Sequence, residues 1–158
     1  MSEEAVVAES VEFAERLLGV LNDGALALML SIGHRTGLFD AMATLPPSTS
    51  AQIAHAAKRD ERYVREWLAA MTMGRIVDYD SELLTFSLPA DRAAWLTRAA
   101  GRANLALQTQ YVGLLALVED QIVDCFRNGG GVPYSEYPRF QALMAEDSGA
   151  VHDATLID

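Results

Sequence analysis

The sequence contains one cysteine, Cys125. No intramolecular disulfide can form, and nothing points to an oxidising compartment. Cys125 lies in an apolar helical stretch, where a free cysteine reads as a small buried side chain rather than a nucleophile. Basic residues are also scarce: 12 Lys and Arg stand against 22 Asp and Glu, for a net charge of −10. Affinity for phosphate comes from Lys and Arg displacing counterions, so this balance opposes non-specific DNA binding and docking on anionic membranes. The three histidines, His34, His55 and His152, have no metal-ligand spacing to one another or to Cys125, so no metal site is expected. His34 and His55 fall at helix ends or surfaces. His152 and Asp153 are neighbours on a helix, and neighbours do not face each other. Ser50 and Ser135 have no base at an interpretable spacing, so no catalytic residue is assigned. Long apolar runs are missing too. The stretch from Gly24 to Gly33 is about half the length that spans a bilayer, and Met1-Ser2-Glu3-Glu4 lacks the basic start of a signal peptide. The expectation is a soluble cytoplasmic protein with no membrane partner.

What remains is a helical protein. The chain has 158 residues, 51% of them hydrophobic, enough for one compact domain. Val7, Val11, Ala14, Leu18 and Leu21 recur at steps of four and three, predicting a helix from about Ala5 to Leu21. Asn22-Asp23-Gly24 predicts an interruption, with Asp23 capping a second helix to about Thr36. That second helix is apolar almost all round, which predicts burial in the core or against a partner chain. Gly37 breaks the chain, Leu38 to Met42 forms a helical turn, and Leu45-Pro46-Pro47-Ser48 stops it.

Thr49-Ser50-Ala51-Gln52 fits a capping box at the start of a short helix. Lys58-Arg59-Asp60 makes a tight turn, with Asp60 as the next cap. Val64, Trp67, Leu68 and Met71 form the buried face of a longer helix, and Gly74 sits where a glycine C-cap belongs. Ile76 to Tyr79 reads as a strand, Asp80-Ser81-Glu82 as a turn, and Leu83 to Ser87 as a returning strand. Helix, tight turn, helix, hairpin is the order of a winged helix-turn-helix. The fold class is therefore mainly α, a winged helix-turn-helix with a small β-hairpin flanked by long N-terminal and C-terminal helices.

A winged helix suggests DNA, but its details here do not. Outward positions of the second helix are Arg62, Arg65, Glu66, Ala69 and Met73, with Glu66 placed to pair with Arg62. The wing tip, Asp78-Tyr79-Asp80-Ser81-Glu82, puts three carboxylates where phosphates would lie.

Pro89 opens another helix. Tyr111, Leu115, Val118, Ile122 and Cys125 then predict the longest helix, from Ala103 to about Arg127, apolar on two sides. Gly129-Gly130-Gly131 follows that helix and leads into a loop. A phosphate-binding fingerprint needs its glycines between a strand and a helix, so these read as a helix terminator. Tyr134, Tyr137 and Phe140 come next, with Met144 one helical turn beyond. Their composition suits a ligand-pocket wall or a domain interface, or equally a loop packed on its own domain.

The run Gly33-His34-Arg35-Thr36-Gly37-Leu38-Phe39-Asp40-Ala41-Met42 resembles the start of bacterial class I S-adenosylmethionine-dependent methyltransferases that carry an N-terminal winged helix. So do Ser50 to Ala54 followed by Arg62 to Leu68, and Gly129 to Phe140 followed by Leu143-Met144-Ala145-Glu146. The resemblance covers nearly the whole chain. It implies that residues 1–100 form N-terminal helices plus the winged helix. Residues 101–158 would form a long helix and an aromatic connector leading toward a Rossmann-like domain absent from this chain. It implies a domain that makes a homodimer and covers the pocket of a small-molecule methyl acceptor, with Tyr134, Tyr137, Phe140 and Met144 on the pocket wall. S-adenosylmethionine would be the cofactor of the full-length enzyme, held by a glycine-rich loop after the first strand of the missing domain. No such strand and loop occurs here, so the chain alone is expected to be inactive and not to bind the cofactor. The alternatives are a winged-helix transcriptional regulator and a stand-alone helical interaction module.

Overall fold

The computed structural model describes the backbone of residues 3–155 and the side chains of residues 9–149. The expected pair of N-terminal helices is one: α1 runs from Glu3 to Thr36 without a break. Asn, Asp and Gly each cost a helix interior no more than about 1 kcal/mol relative to Ala. Once turns exist on both sides, each added residue gains a hydrogen bond, so propagation passes through the weak triplet. At 1.5 Å per residue α1 is about 50 Å long. Residues 9–36 are long and apolar enough to cross a membrane by length and composition. Half of that length is spent elsewhere, because Leu26, Met29 and Leu30 pack on the protein core. Its earlier half does not pack: Val11, Phe13, Leu17, Leu18, Val20 and Leu21 are all exposed. The unpartnered apolar surface thus lies before the segment whose composition drew attention, and Leu28 and Ile32 extend it only in part.

At the end of α1 the backbone comes close to the core. A Cβ on Gly33 would stand 2.5 Å from Trp67 and 2.7 Å from Phe39. Gly37, at φ 73°, turns the chain into α2 (Leu38–Ala43). Ser48 then exchanges two backbone hydrogen bonds with Phe86, at 3.0 and 2.8 Å, and ties this loop to the wing. The capping box forms as the sequence predicts and starts α3 (Ser50–Ala57). Asp60 accepts from the Arg62 N–H at 3.0 Å and starts α4 (Glu61–Met73). Val64, Trp67, Leu68 and Met71 are buried, as their spacing requires. Trp67 meets Phe39 edge to face at 5.1 Å, and its indole N–H donates to the Met29 carbonyl at 2.9 Å. The largest side chain of the core therefore has no unsatisfied polar atom.

Gly74 is the C-cap but is not left-handed; Arg75, at φ 57°, is. Gly74 is small for a packing reason, since a Cβ there would meet Leu26 at 2.6 Å. The hairpin starts two residues later than expected, as β1 (Asp78–Asp80) paired antiparallel with β2 (Thr85–Ser87). Ile76 and Val77 are unavailable to the strand because their N–H groups donate back to Met71, at 2.8 and 3.3 Å. Asp80 accepts from the N–H groups of Glu82 and Leu83, and Leu84 is left-handed, which lengthens the turn.

After α5 (Ala90–Leu96), with Pro89 as its N-cap, the single long helix expected from Ala103 to Arg127 is absent. In its place come a 3-10 turn (Arg98–Ala103), α6 (Leu105–Gln108), α7 (Gln110–Ala116) and α8 (Glu119–Asn128). Each break has a local cause. Gly101 adopts φ 55°, ψ −123°, where other residues are strained. Asn104 leaves the helix to cap the Leu107 N–H at 3.1 Å. The Thr109 hydroxyl donates to the Ala106 carbonyl at 2.7 Å, the back-bonding that bends helices. The breaks redirect the apolar pattern: Leu107, Gln110, Leu114 and Val118 turn inward, while Val112, Leu115 and Leu117 face out. Helices α6 and α7 pack on α1. A second 3-10 turn (Tyr134–Glu136) leads to α9 (Phe140–Thr155). The result is a mainly helical winged helix-turn-helix with a two-stranded wing.

Candidate functional site

The outward face of α4 presents Arg62, Arg65, Glu66, Ala69 and Met73, as the helical spacing requires. The ion pair on it differs from the expected one. Glu61, not Glu66, pairs with an arginine, reaching Arg65 at 3.7 Å while also accepting from Ser50 at 2.8 Å. Arg62 lies 6.0 Å from the ring of Tyr63 instead. In the wing, Asp78 pairs with Arg92 at 2.7 Å, and Asp80 is committed to its turn. Between α4 and the wing runs a groove lined by Ala69, Met73, Tyr79, Leu84 and Phe86. This face offers apolar carbon rimmed by mixed charge, not a row of cations.

The aromatic connector forms a cluster. Tyr134 stacks on Phe140 at 5.1 Å, and Tyr137 approaches the same ring at 6.1 Å. Phe140 and Tyr137 rest on Leu107, Leu114 and Leu143, a second small core below them. Tyr134 is the outer layer, 74% exposed. Met144 is exposed on the adjoining turn of α9 and accepts from the Tyr111 hydroxyl through its sulfur at 3.2 Å. Asp147 holds the same hydroxyl at 3.5 Å and accepts from Gln108 at 2.9 Å. Burial and the Asp147 charge raise the pKa of Tyr111, so this hydroxyl stays a donor. The four residues named from the sequence thus share one surface, open on the Tyr134 side.

A second polar site was not legible as one. His34, placed by its sequence position at a helix end or surface, is 1% exposed. It borders an open cleft of about 650 Å³ between the end of α1, the turn at 98–103 and α9, lined also by Arg98, Arg102, Asn104, Leu107 and Glu146. None of the aromatic residues lines it. Burial, then Arg98, lowers the His34 pKa, against smaller opposite effects of Glu146 and Asp40. The sequence signal was a histidine inside an otherwise small and apolar helix end, Ser31-Ile32-Gly33-His34, which read equally as a surface position. His55 is exposed, and the His152-Asp153 pair lies outside the described side chains. Cys125 is half-buried on α8, a helix with no buried residue, so it does not fill a core.

Among the described residues no glycine-rich cofactor loop is formed. The glycines 129–131 follow the C-terminus of α8, where the Gly129 N–H is spent on the Cys125 carbonyl at 2.9 Å. A helix C-terminus presents carbonyls, the wrong polarity for an anion. The described strands are the two short strands of the wing, and neither leads into a glycine loop. No group of His, Cys, Asp and Glu among the described residues is placed to hold a metal ion.

Residues 24–98 match the family model of the Rv2258c-like winged HTH domain. No curated protein sequence matches the chain. Solved structures do. Human N-acetylserotonin methyltransferase, determined with S-adenosylmethionine, superimposes with a TM-score of 0.67 over 89% of this chain at 17% identity. The mitomycin 7-O-methyltransferase gives 0.68 over 92% at 17% identity. A dimethyltransferase of 8-amino-8-demethyl-D-riboflavin from Streptomyces davawensis gives 0.69 over 89% at 20% identity. The matches cover 45%, 46% and 44% of those chains, so this chain spans less than half the length of each. At these identities the likeness is one of fold: a winged-helix domain resembling one part of S-adenosylmethionine-dependent methyltransferases.

Proposed function

We propose that this chain is the dimerisation and substrate-covering part of a methyltransferase that uses S-adenosylmethionine on a small molecule. The observation that carries the reading is that nearly all of the chain superimposes on less than half of several such enzymes. Two surfaces support it. The apolar half of α1 has nothing among the described residues to cover it, and such patches mark interfaces. A two-fold homodimer would bring two of these arms together. The stacked Tyr134 and Phe140 offer a flat face with a hydroxyl at its edge, suited to the methyl acceptor or the cofactor. The wing acids and the apolar α4 groove favour this reading over a DNA-binding regulator. Neither nucleic acid nor membrane is a partner in this proposal, and the protein works in the cytoplasm.

Two measurements test it. Light scattering at micromolar concentration should give twice the chain mass of 17.2 kDa. A double substitution, Leu17→Glu with Leu21→Glu, should return the monomer without lowering the melting temperature; a wild-type monomer opposes the dimer. Calorimetric titration of S-adenosylmethionine should give no binding heat with residues 1–158. Binding should be micromolar with a gene product that continues into a strand and glycine loop. Micromolar binding by residues 1–158 overturns the assignment of the cofactor site to another domain. A salt-sensitive gel shift with duplex DNA would favour the regulator.

A further inference from the structure

His34 sits at the centre of a chain of polar contacts that joins four elements. Gln110, buried at the start of α7, donates from Nε2 to His34 Nδ1 at 3.2 Å. The direction is fixed from the other side, because Arg139 donates to Gln110 Oε1 at 3.3 Å and arginine has no acceptor. With Nδ1 accepting, the ring is neutral and its proton is on Nε2. That Nε2–H is buried and has no hydrogen-bond partner among the described residues. It faces Glu146 Oε1 on α9 at 3.6 Å, beyond hydrogen-bond length. The same carboxylate lies 3.5 Å from Arg98 Nε. Arg98 is itself anchored to Asp40 of α2 through a guanidinium N–H and its backbone N–H.

We propose that His34, Gln110, Arg139 and Glu146 form a proton-driven switch in which an amide flip exchanges the tie to Arg139 for a tie to Glu146. In the neutral state Gln110 holds Arg139, and Glu146 stands off. A proton arriving at Nδ1 faces the Gln110 amide N–H, and two donors cannot share a hydrogen bond. Gln110 rotates so that Oε1 accepts from Nδ1–H. Its NH₂ group then faces the Arg139 guanidinium, which must leave. The imidazolium draws Glu146 into a charge-assisted hydrogen bond at Nε2, so α9 tightens on the end of α1.

The groups that face the ring are few and can be named. Glu146 on α9 and Asp40 on α2 favour the proton, while Arg98 in the turn at 98–103 opposes it. Arg35, on α1, adds its charge against Arg139. Arg102 lines the same cleft. Burial also disfavours the charged ring, which places the switch on the acid side of an ordinary histidine. Arg139 is already left-handed, at φ 63°, a backbone state that persists only where surrounding contacts impose it. Its release therefore removes a restraint on the turn that carries Tyr134 and Tyr137. The device senses protons at the winged helix and acts on the aromatic surface. It does not depend on that surface binding a methyl acceptor.

The test is a pH titration of the full chain carrying ¹⁵N-labelled histidine and arginine, followed by NMR. Above the transition the nitrogen shifts of His34 should report the Nε2–H tautomer. As pH falls, the Arg139 side-chain signal should change with the same midpoint as His34, below the ordinary histidine value of 6.5. Arg139→Met removes the lock on the amide and should shift the His34 midpoint upward. Glu146→Gln should shift it downward. A His34 ring in the Nδ1–H tautomer overturns the proposal, as does an Arg139 signal that ignores the His34 transition. The wild-type measurements decide the matter even if a variant fails to fold.

Discussion

Between α2 and α5 one set of large apolar side chains packs into a broad core, although Tyr63, Met73, Leu83, Leu84 and Trp95 stay exposed, whereas from α6 to the start of α9 only a small core forms. Phe39, Trp67, Leu68 and Met71 are at most 2% exposed, and Leu26, Met29, Leu30 and Phe86 close over them. In the later region Leu107, Leu114 and Leu143 form a core of three, while Leu115, Leu117, Phe126 and Tyr134 are open. Helix α8 has apolar residues on one side and buries none of them. The difference separates two tasks within one chain. The winged helix is a finished domain core. On the function proposed above, the later helices are half of a core whose other half is another surface. Stability should therefore respond to changes in the first region, and association or ligand contact to changes in the second.

The strongest test of that contrast is Trp67→Ala. It removes a ring packed on Phe39 together with the hydrogen bond to Met29, and should cost about 3–5 kcal/mol. Chemical denaturation at one protein concentration measures it. A loss below about 1 kcal/mol would mean that the winged-helix core does not dominate stability.

The same exchange, glycine to alanine, should have opposite signs where α1 meets the winged-helix core and in the later helices. At Gly33 the new methyl would overlap Trp67 and Phe39, so Gly33→Ala should destabilise by about 1–3 kcal/mol. At Gly113 in α7 the nearest atom is a Leu28 methyl at 3.6 Å, an ordinary contact. Gly113→Ala should stabilise by about 0.5–1 kcal/mol through lower chain entropy. Melting curves of both variants beside the parent suffice. Equal signs would show that the tightness at the end of α1 is not a property of the winged helix alone.

The winged helix was legible because its signals are local and agree. Thr49 and Gln52 cap one helix, Asp60 caps the next, and Val64, Trp67, Leu68 and Met71 recur at helical spacing. Each signal needs only a few neighbouring residues. The later region was misread where tertiary contacts decide. Leu115, Val118, Ile122 and Cys125 keep helical spacing across Leu117 and Val118, yet the chain bends there, between α7 and α8. Asn104 and Thr109 were the available signs, since both compete for backbone hydrogen bonds, but their effect depends on α1 packing alongside. Asn22-Asp23-Gly24 misled in the opposite sense, a local breaker overridden by helix on either side. The aromatic cluster was visible as composition. Its stacking was not, and neither was the polar junction at His34, whose partners lie at sequence positions 98, 110 and 146.

That junction links the two regions and gives the contrast a pH dependence. The folded state lowers the His34 pKa below its ordinary 6.5. Above 6.5 the ring is neutral both folded and unfolded, so its contribution to stability is constant. As pH falls below 6.5 the unfolded chain takes up the proton first, and stability is lost until the folded pKa is reached. Denaturant midpoints measured from pH 7.5 downward should show this loss, and His34→Gln should remove it from that window. An unchanged slope in the variant would assign the effect to other groups.

The smallest expected change in stability belongs to Tyr134→Ala, and it separates a pocket wall from a local core. Tyr134 is mostly exposed, and its ring touches Tyr137 and Phe140 on one side only. Truncation removes one outer stacking contact, so the change should stay within about 0.5 kcal/mol, as for other surface positions. Phe140→Ala is the internal standard. That ring is half-buried on Leu107, Leu114 and Leu143, and its loss should cost clearly more. If the surface takes up a flat ligand in a longer methyltransferase, Tyr134→Ala there should lower methyl transfer while leaving the melting temperature where it was. Equal losses of stability in the two variants would make Tyr134 part of the folding core of the later region. An unchanged turnover with unchanged stability would leave its ring without a part in either task. The informative quantity is thus the ratio of turnover lost to stability lost, high for a wall that a ligand completes and low for a ring that the chain completes itself.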